Sequence, residues 1–225
     1  MKKIIVSSEM PQLMIEKIKE IFPYDLVLCN KYERFDNAVA AHPDMNYLEV
    51  GNKTFTINDV EESSLYSEET KLKYPSDVFL NAFCIGKDLI CKKNAVSRQV
   101  LEYADSLNFN VIDVNQGYVK CNIAVVNEIK KAVITEDKGI EKVLALNGYD
   151  VLLLNGHSVQ LNPYDHGFIG GASGLIDGKL IFCGNIKKHP EYERIAAFCM
   201  KYDTDILSLS DNDLYDYGSI LLIGI

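Results

Sequence analysis

Lys2-Lys-Ile-Ile-Val-Ser7 opens the chain and Gly218-Ser-Ile-Leu-Leu-Ile223 closes it, and each is half of one recurring pattern. The opening stretch is an apolar strand followed by a polar turn, a helix and a closing strand, Asp25-Leu-Val-Leu-Cys29. Copies start at Lys87 (Lys-Asp-Leu-Ile-Cys), Lys131 (Lys-Ala-Val-Ile-Thr) and Lys179 (Lys-Leu-Ile-Phe-Cys). They close with Asn110-Val-Ile-Asp-Val, Asp150-Val-Leu-Leu-Leu and Asp205-Ile-Leu-Ser-Leu. The stretch at Gly218 belongs to a series running one strand ahead. Its members are Gly117-Tyr-Val-Lys-Cys-Asn122, Gly167-Phe-Ile-Gly-Gly-Ala172, Asp77-Val-Phe-Leu-Asn-Ala82 and Asn37-Ala-Val-Ala-Ala-His42. Self-similarity at a near-constant period signals a repeat architecture.

The last member of the series has no helix after it, and Lys2 begins at a second strand with no first strand before it. Pairing of the two ends within one unit would seal a ring, as in propellers, whereas an open solenoid wants capping repeats. The expectation is an α/β fold of five β-β-α-β units around an axis, helices outside, spanning residues 1–225 as one domain. The closing strands read as near-continuous apolar runs, so they are expected to be buried on both faces.

Helical stripes support the units. Tyr192, Ile195, Ala196, Cys199 and Met200 fall on one face, with His189-Pro190 as cap and first-turn proline. Ile140, Val143 and Leu144 form a stripe stopped at Asn147-Gly148. Met14, Ile18 and Ile21 follow Pro11, and Val96, Val100, Leu101, Ala104 and Leu107 complete the set. The second unit has no stripe. After Thr54-Phe55-Thr56-Ile57 comes a charged stretch, Glu61 to Asp77, read either as a solvated loop or short helix or as a flap over one end of the ring.

Composition narrows the function. A net charge of −9, with no long basic run, argues against nucleic acid as a partner. No apolar run reaches the roughly 18–20 residues of a membrane span. Residues 1–7 lead straight into a predicted helix, without the apolar region of a signal peptide. Six cysteines without framework spacing suit reduced thiols in a cytoplasm. No CxxC or HExxH occurs, so no metal and no cofactor is expected. The sequence leaves the oligomeric state open and predicts a small-molecule ligand.

Aligning the series places Ala41, Asn81, Cys121, Gly171 and Leu222 in one layer around the axis, and His42, Ala82, Asn122, Ala172 and Ile223 in the next. Asp44 lies two residues beyond His42. Small and aliphatic groups suit an axis, so the polar exceptions must be hydrogen-bonded or solvated, and they mark a site. A thiol beside an imidazole can act as a nucleophile, since the imidazole takes its proton or stabilises the thiolate. Asp165-His166-Gly167 and Asp216-Tyr217-Gly218 bring further polar groups to one rim. Each residue also has a plainer reading: Cys121 as a small buried apolar group, His42-Pro43-Asp44 as a turn, Asn81 and Asn122 as partners of strand-end amides. Gly170-Gly171-Ala172-Ser173-Gly174 lacks the Lys-Ser/Thr of a phosphate loop and reads as close backbone approach at the axis.

The pattern resembles the guanidino-group-modifying (pentein) fold, the five-bladed propeller of arginine deiminases, dimethylarginine hydrolases and amidinotransferases. Gly-Tyr-Val-Lys-Cys at Gly117 is similar to the segment carrying the nucleophilic Cys there, and His42-Pro43-Asp44 resembles the segment carrying the catalytic His. The segments at Gly117, Gly167 and Asp216 look more closely like a bacterial family of unknown function assigned to that fold. In the enzymes the nucleophile sits in the final strand, where this chain has Leu222, so Cys121 would serve a site rotated around the ring. The resemblance implies a cytoplasmic, cofactor-free enzyme acting on a C–N bond of a small guanidino or amidino compound. Cys121 would be nucleophile, His42 acid/base and Asp44 the orienting carboxylate, with Asn81, Asn122, Asp165, His166 and Asp216 contacting substrate. The alternative is a catalytically silent ring that binds a small molecule or a protein partner.

Overall fold

Apolar runs of four to six residues bounded by turns become strands, and the striped segments between them become helices. The computed structural model describes residues 1–60 and 71–224. In chain order the elements are β1 (Lys2–Ser7), α1 (Gln12–Ile21), β2 (Asp25–Cys29), α2 (Pro43–Asn46), β3 (Tyr47–Val50) and β4 (Lys53–Thr56). There follow β5 (Phe83–Ile85), β6 (Asp88–Cys91), α3 (Arg98–Ser106), β7 (Asn110–Asp113), α4 (Val119–Asn122), β8 (Ile123–Asn127), β9 (Ala132–Thr135), α5 (Lys138–Leu146) and β10 (Asp150–Leu153). The chain ends with β11 (Ser173–Ile176), β12 (Lys179–Phe182), α6 (Tyr192–Lys201), β13 (Asp205–Ser208) and β14 (Leu221–Gly224).

Among the described residues these strands form five small sheets. Four have one plan: β14-β1-β2, β5-β6-β7, β8-β9-β10 and β11-β12-β13. In each, the first strand pairs antiparallel with the middle strand, and the middle strand pairs parallel with the closing one. A parallel pair needs a crossover, which α1, α3, α5 and α6 supply. The fifth sheet is the hairpin β3-β4. The chain ends pair within one sheet, Lys2 opposite Gly224 through Ile5 opposite Leu221.

The expectation that closing strands are buried on both faces is overturned. The middle strands are the buried ones: all four residues of β6 and of β9 are buried, whereas β10 is half-buried throughout and β2, β7 and β13 carry exposed positions. Among the described residues each closing strand pairs with a neighbour on one side only, whereas each middle strand pairs on both. Helices cover the middle strands. Ile4 and Val6 pack with Met14, Ile15 and Ile18 of α1, and Leu180 and Phe182 pack with Ile195 and Cys199 of α6. Val133 packs with Ile140 and Leu144 of α5. Burying one such side chain stabilises by about 1.5–3 kcal/mol. Two stripe ends miss the core, Ile21 and Met200. His189 does not cap α6. The cap is Glu191, and His189 Nδ1 accepts the Glu191 N–H at 3.0 Å in the preceding turn.

Most of the Glu61–Asp77 flap reading lies outside the described residues. In the remainder, Lys71 Nζ donates to Phe35 O at 2.7 Å. Among the described residues no helix is long and apolar enough to cross a membrane.

Hydrogen bonds link the five sheets at their centre. Asp44 N–H donates to Gly218 O, Asn81 Nδ2 to Asp44 O, and Lys120 N–H to Asn81 Oδ1. Gly171 N–H donates to Cys121 O, and Ser219 N–H to Gly171 O, which brings the circuit back to the last sheet. Two glycines permit this approach. A Cβ on Gly171 would overlap the Asp216 carboxylate, and one on Gly218 (φ +79°) would overlap His42.

Candidate active site

Local structure shifts the expected layers. The first strands begin later than the quoted series, so those segments are turns and short helices leading into the strands. Four-residue helical turns, α2 and α4, precede β3 and β8, and they match residue for residue. Asn46 Nδ2 donates to His42 O at 2.8 Å, and Asn122 Nδ2 donates to Tyr118 O at 2.8 Å. His42 is therefore the counterpart of Tyr118, and Asn46 rather than His42 occupies the position of Asn122. Leu222 is likewise no counterpart of Cys121. It lies inside β14 opposite Ile4, while Cys121 precedes its strand. The misalignment comes from assuming near-constant spacing: the two equivalent turns lie 76 residues apart (119 − 43), not the 80 (122 − 42) that paired His42 with Asn122.

His42 and Cys121 nevertheless line one cavity of about 280 Å³, together with Tyr118, His166, Phe168 and Asp216. Val39, Met45 and Leu161 supply apolar wall, and Tyr164 and Asp165 complete the lining. Cys121 is 4 % exposed and His42 is 3 % exposed. Asn81 holds the thiol from behind, its Nδ2 3.0 Å from Cys121 Sγ. Asp44 sits beneath, its Oδ2 accepting from Ser219 Oγ at 2.6 Å. Asp216 is fixed by backbone donors, Gly218 N–H to Oδ1 at 2.9 Å and Phe168 N–H to Oδ2 at 3.0 Å. His42 Nδ1 lies 3.7 Å from Asp216 Oδ1. Among the described residues, His42 Nδ1 and Asp44 Oδ1 are buried with no hydrogen-bond partner.

The electrostatics follow from burial. Desolvation lifts the Cys121 thiol well above its ordinary range, and the nearby charges of Asp44 and Asp216 lift it further. Desolvation pulls His42 down, so its imidazole is neutral. Asp216 is pushed up to about 6 and Asp44 is also raised, both chiefly by burial. Burial thus favours the neutral forms of the Cys121 thiol and the His42 imidazole, which stand beside the carboxyls of Asp216 and Asp44.

The remaining sequence candidates divide. Asp165 and His166 reach the rim of the cavity. Asn122 does not: it braces α4 and borders a neighbouring cleft with Glu136, His157 and His166. His166 stacks on His157, ring centroids 3.6 Å apart and planes within 1°. Tyr118, Phe168, Lys120 and Ser219 escaped the sequence reading. Tyr118 donates its hydroxyl to Asp77 Oδ2 at 2.6 Å, and the Phe168 ring centroid is 6.2 Å from that of Tyr118. A lysine inside the apolar Gly117–Asn122 segment was the available signal for Lys120. Among the described residues no group of three or more His, Cys, Asp or Glu side chains converges as metal ligands do.

This arrangement of sheets has counterparts of known structure. The dimethylarginine dimethylaminohydrolase adduct with 4-chloro-2-hydroxymethylpyridine matches with a TM-score of 0.54, covering 94% of this chain and 93% of that chain at 10% identity. The C. jejuni agmatine deiminase matches with a TM-score of 0.49, covering 95% of this chain and 80% of that chain at 11% identity. By the first of these matches the chain has a mixed α/β fold similar to that of the pentein enzymes. Within that fold it belongs to the family described as "Family of unknown function (DUF6873)", whose model matches residues 5–221. No curated protein matches the sequence.

Proposed function

We propose that the protein is a single pentein-like ring of five β-β-α-β units, and that its axis carries a cysteine-dependent hydrolase of C–N bonds in small guanidino or amidino cations. The carrying observation is that the Cys121 thiol and the neutral His42 imidazole line the same cavity as Asp216, with Asp44 beneath. A cation entering that cavity offsets the charge of two buried carboxylates and, by the same Coulomb term, lowers the cost of ionising Cys121. The Cys121 proton passes to His42 and Sγ attacks the central carbon of the cation. The C–N bond breaks, and the departing amine takes the proton back from His42. Water then adds to the thiouronium carbon, giving a proton to His42. As the C–S bond breaks, Sγ recovers that proton and the hydroxyl proton of the adduct passes to water, leaving a urea or an amide. General acid–base help of this kind contributes about 10²–10⁴-fold. Free, buried cysteines suit a reducing cytoplasm.

A second reading is a silent ring that binds a cation without turning it over. The height to which burial lifts the Cys121 thiol favours it. Alkylation by chloroacetamidine, a cation, and by neutral chloroacetamide separates the two readings. The hydrolase predicts saturable labelling of Cys121, at least about tenfold faster with the amidine and slowed about 10²-fold or more in His42→Ala. Equal rates for the two reagents, or a Cys121 that reacts only in denaturant, would sink the hydrolase.

A further inference from the structure

Lys120 precedes the thiol in sequence but sends its side chain the other way. Its Nζ donates to Ser219 Oγ at 3.3 Å and to Ile123 O at 3.5 Å. The residue lines a second cavity, of about 270 Å³, with Tyr47, Phe83, Val125, Gly174 and Leu221. Those five come one from the first strand of each sheet, so this cavity lies on the strand side of the central hydrogen-bond circuit. The thiol cavity is lined instead by the segments that lead into the strands.

We propose, resting on the reading of the thiol cavity as a site for cations, that Lys120 is a positioning residue acting from the strand side of the axis. Through the Ser219 hydroxyl it holds Asp44 as a carboxylate beside Cys121. The ammonium occupies a lone pair of Ser219 Oγ and leaves the single hydroxyl proton for the shorter of two acceptor contacts, Asp44 Oδ2 at 2.6 Å against Gly170 O at 3.0 Å. A hydroxyl so directed stabilises the ionised carboxyl and disfavours the protonated one. Lys120 itself is half-buried near Asp44, Asp216, Cys121 and Glu128; desolvation lowers its pKa and those groups oppose the loss of its charge. Asp44 faces His42, Asp216, Lys120 and Ser219, with Cys29 and Cys121 alongside. Asp216 faces His42, Lys120, Cys183 and the buried Glu136. The positive charge of Lys120 opposes the rise of both Asp44 and Asp216. A lysine that merely filled space would leave their protonation untouched.

Carboxyl titration by ¹³C NMR on the full chain tests this. Lys120→Met is expected to raise the midpoints of Asp44 and Asp216 by one pH unit or more. Ser219→Ala keeps the ammonium and removes only the hydroxyl, so it is expected to raise Asp44 by at least half a unit and leave Asp216 in place. Unchanged midpoints in Lys120→Met overturn the proposal. Should that variant fail to fold, an unmoved Asp44 in Ser219→Ala overturns it alone. The titration needs no reaction at Cys121, so a silent ring would fail the chloroacetamidine comparison and still show these shifts.

Discussion

Glu136 isolates what burial does to one carboxyl. Its Oε2 accepts the Ile169 N–H at 3.2 Å and lies 3.6 Å from His157 Nδ1, while its Oε1 is buried with no partner among the described residues. Desolvation pushes its pKa from 4.5 to about 7. An acid raised on folding binds more protons in the folded state between those two values, so its contribution to stability falls as pH rises through that window. Above pH 7 the penalty is complete, and at 1.36 kcal/mol per unit it reaches roughly 3 kcal/mol. Glu136→Gln removes the charge and keeps an acceptor for Ile169. The variant should match the parent near pH 4 in urea unfolding and exceed it at pH 8 by up to about 3 kcal/mol. A constant difference across that range would mean the carboxyl is not strained by burial. At this scale the sequence singled out Cys121, His42, Asp44, Asn81 and Asn122 as polar exceptions among small and aliphatic residues, although its alignment was out of register at His42 and Leu222. For Lys120 it offered a lysine in an apolar segment but nothing of what the ammonium meets, and Ser219 was hidden because its segment was aligned three residues out of place.

Elements were legible wherever a period was. The stripes of α1, α3, α5 and α6 can be read off the chain because each helix covers one middle strand and buries one face. What composition concealed was which strand of a unit lies innermost. Asp150-Val-Leu-Leu-Leu is as apolar as Lys131-Ala-Val-Ile-Thr, yet β9 is buried and β10 half-buried, since only pairing on both sides distinguishes them. Helix starts were not legible in this way. Asp137, which the sequence reading passed over, caps α5, its Oδ1 accepting the Ile140 N–H at 2.8 Å, and His189-Pro190 proved to be a turn ahead of α6. Asp137→Ala is therefore expected to cost about 1 kcal/mol of global stability. The loss should appear as a lower urea midpoint at unchanged slope. Asp137→Asn, which keeps the acceptor, should recover most of it. A loss of equal size in both variants would assign the effect to the charge of Asp137 near the cleft, not to the cap.

On the scale of the whole molecule, the ring reading rests on two features far apart in sequence: the β1–β14 pairing and the hydrogen-bond circuit that runs from Gly218 through Asp44, Asn81, Cys121 and Gly171 back to Ser219. Both tie the last residues to the first. If the units form a ring, its point of opening is a matter of chain connectivity and not of packing. Antiparallel neighbours lie about 4.5–5.5 Å apart and can be joined by a two-residue turn. Lys2 and Gly224 are such neighbours, so a linker of a few residues suffices to fuse the ends. New termini can be placed between Gly51 and Asn52, exposed residues at the β3–β4 hairpin turn. This permutant should fold in one cooperative transition and keep the parent's ratio of chloroacetamidine to chloroacetamide labelling at Cys121. Both properties are needed, because the cavity draws His42 and Met45 from one side of the cut and Cys121 and Asp216 from the other. A permutant that folds but loses selective labelling would show that the β3–β4 turn shapes the site. One that fails to fold, while the same cut without fusion of the ends is tolerated, would show that the ends do not close a ring.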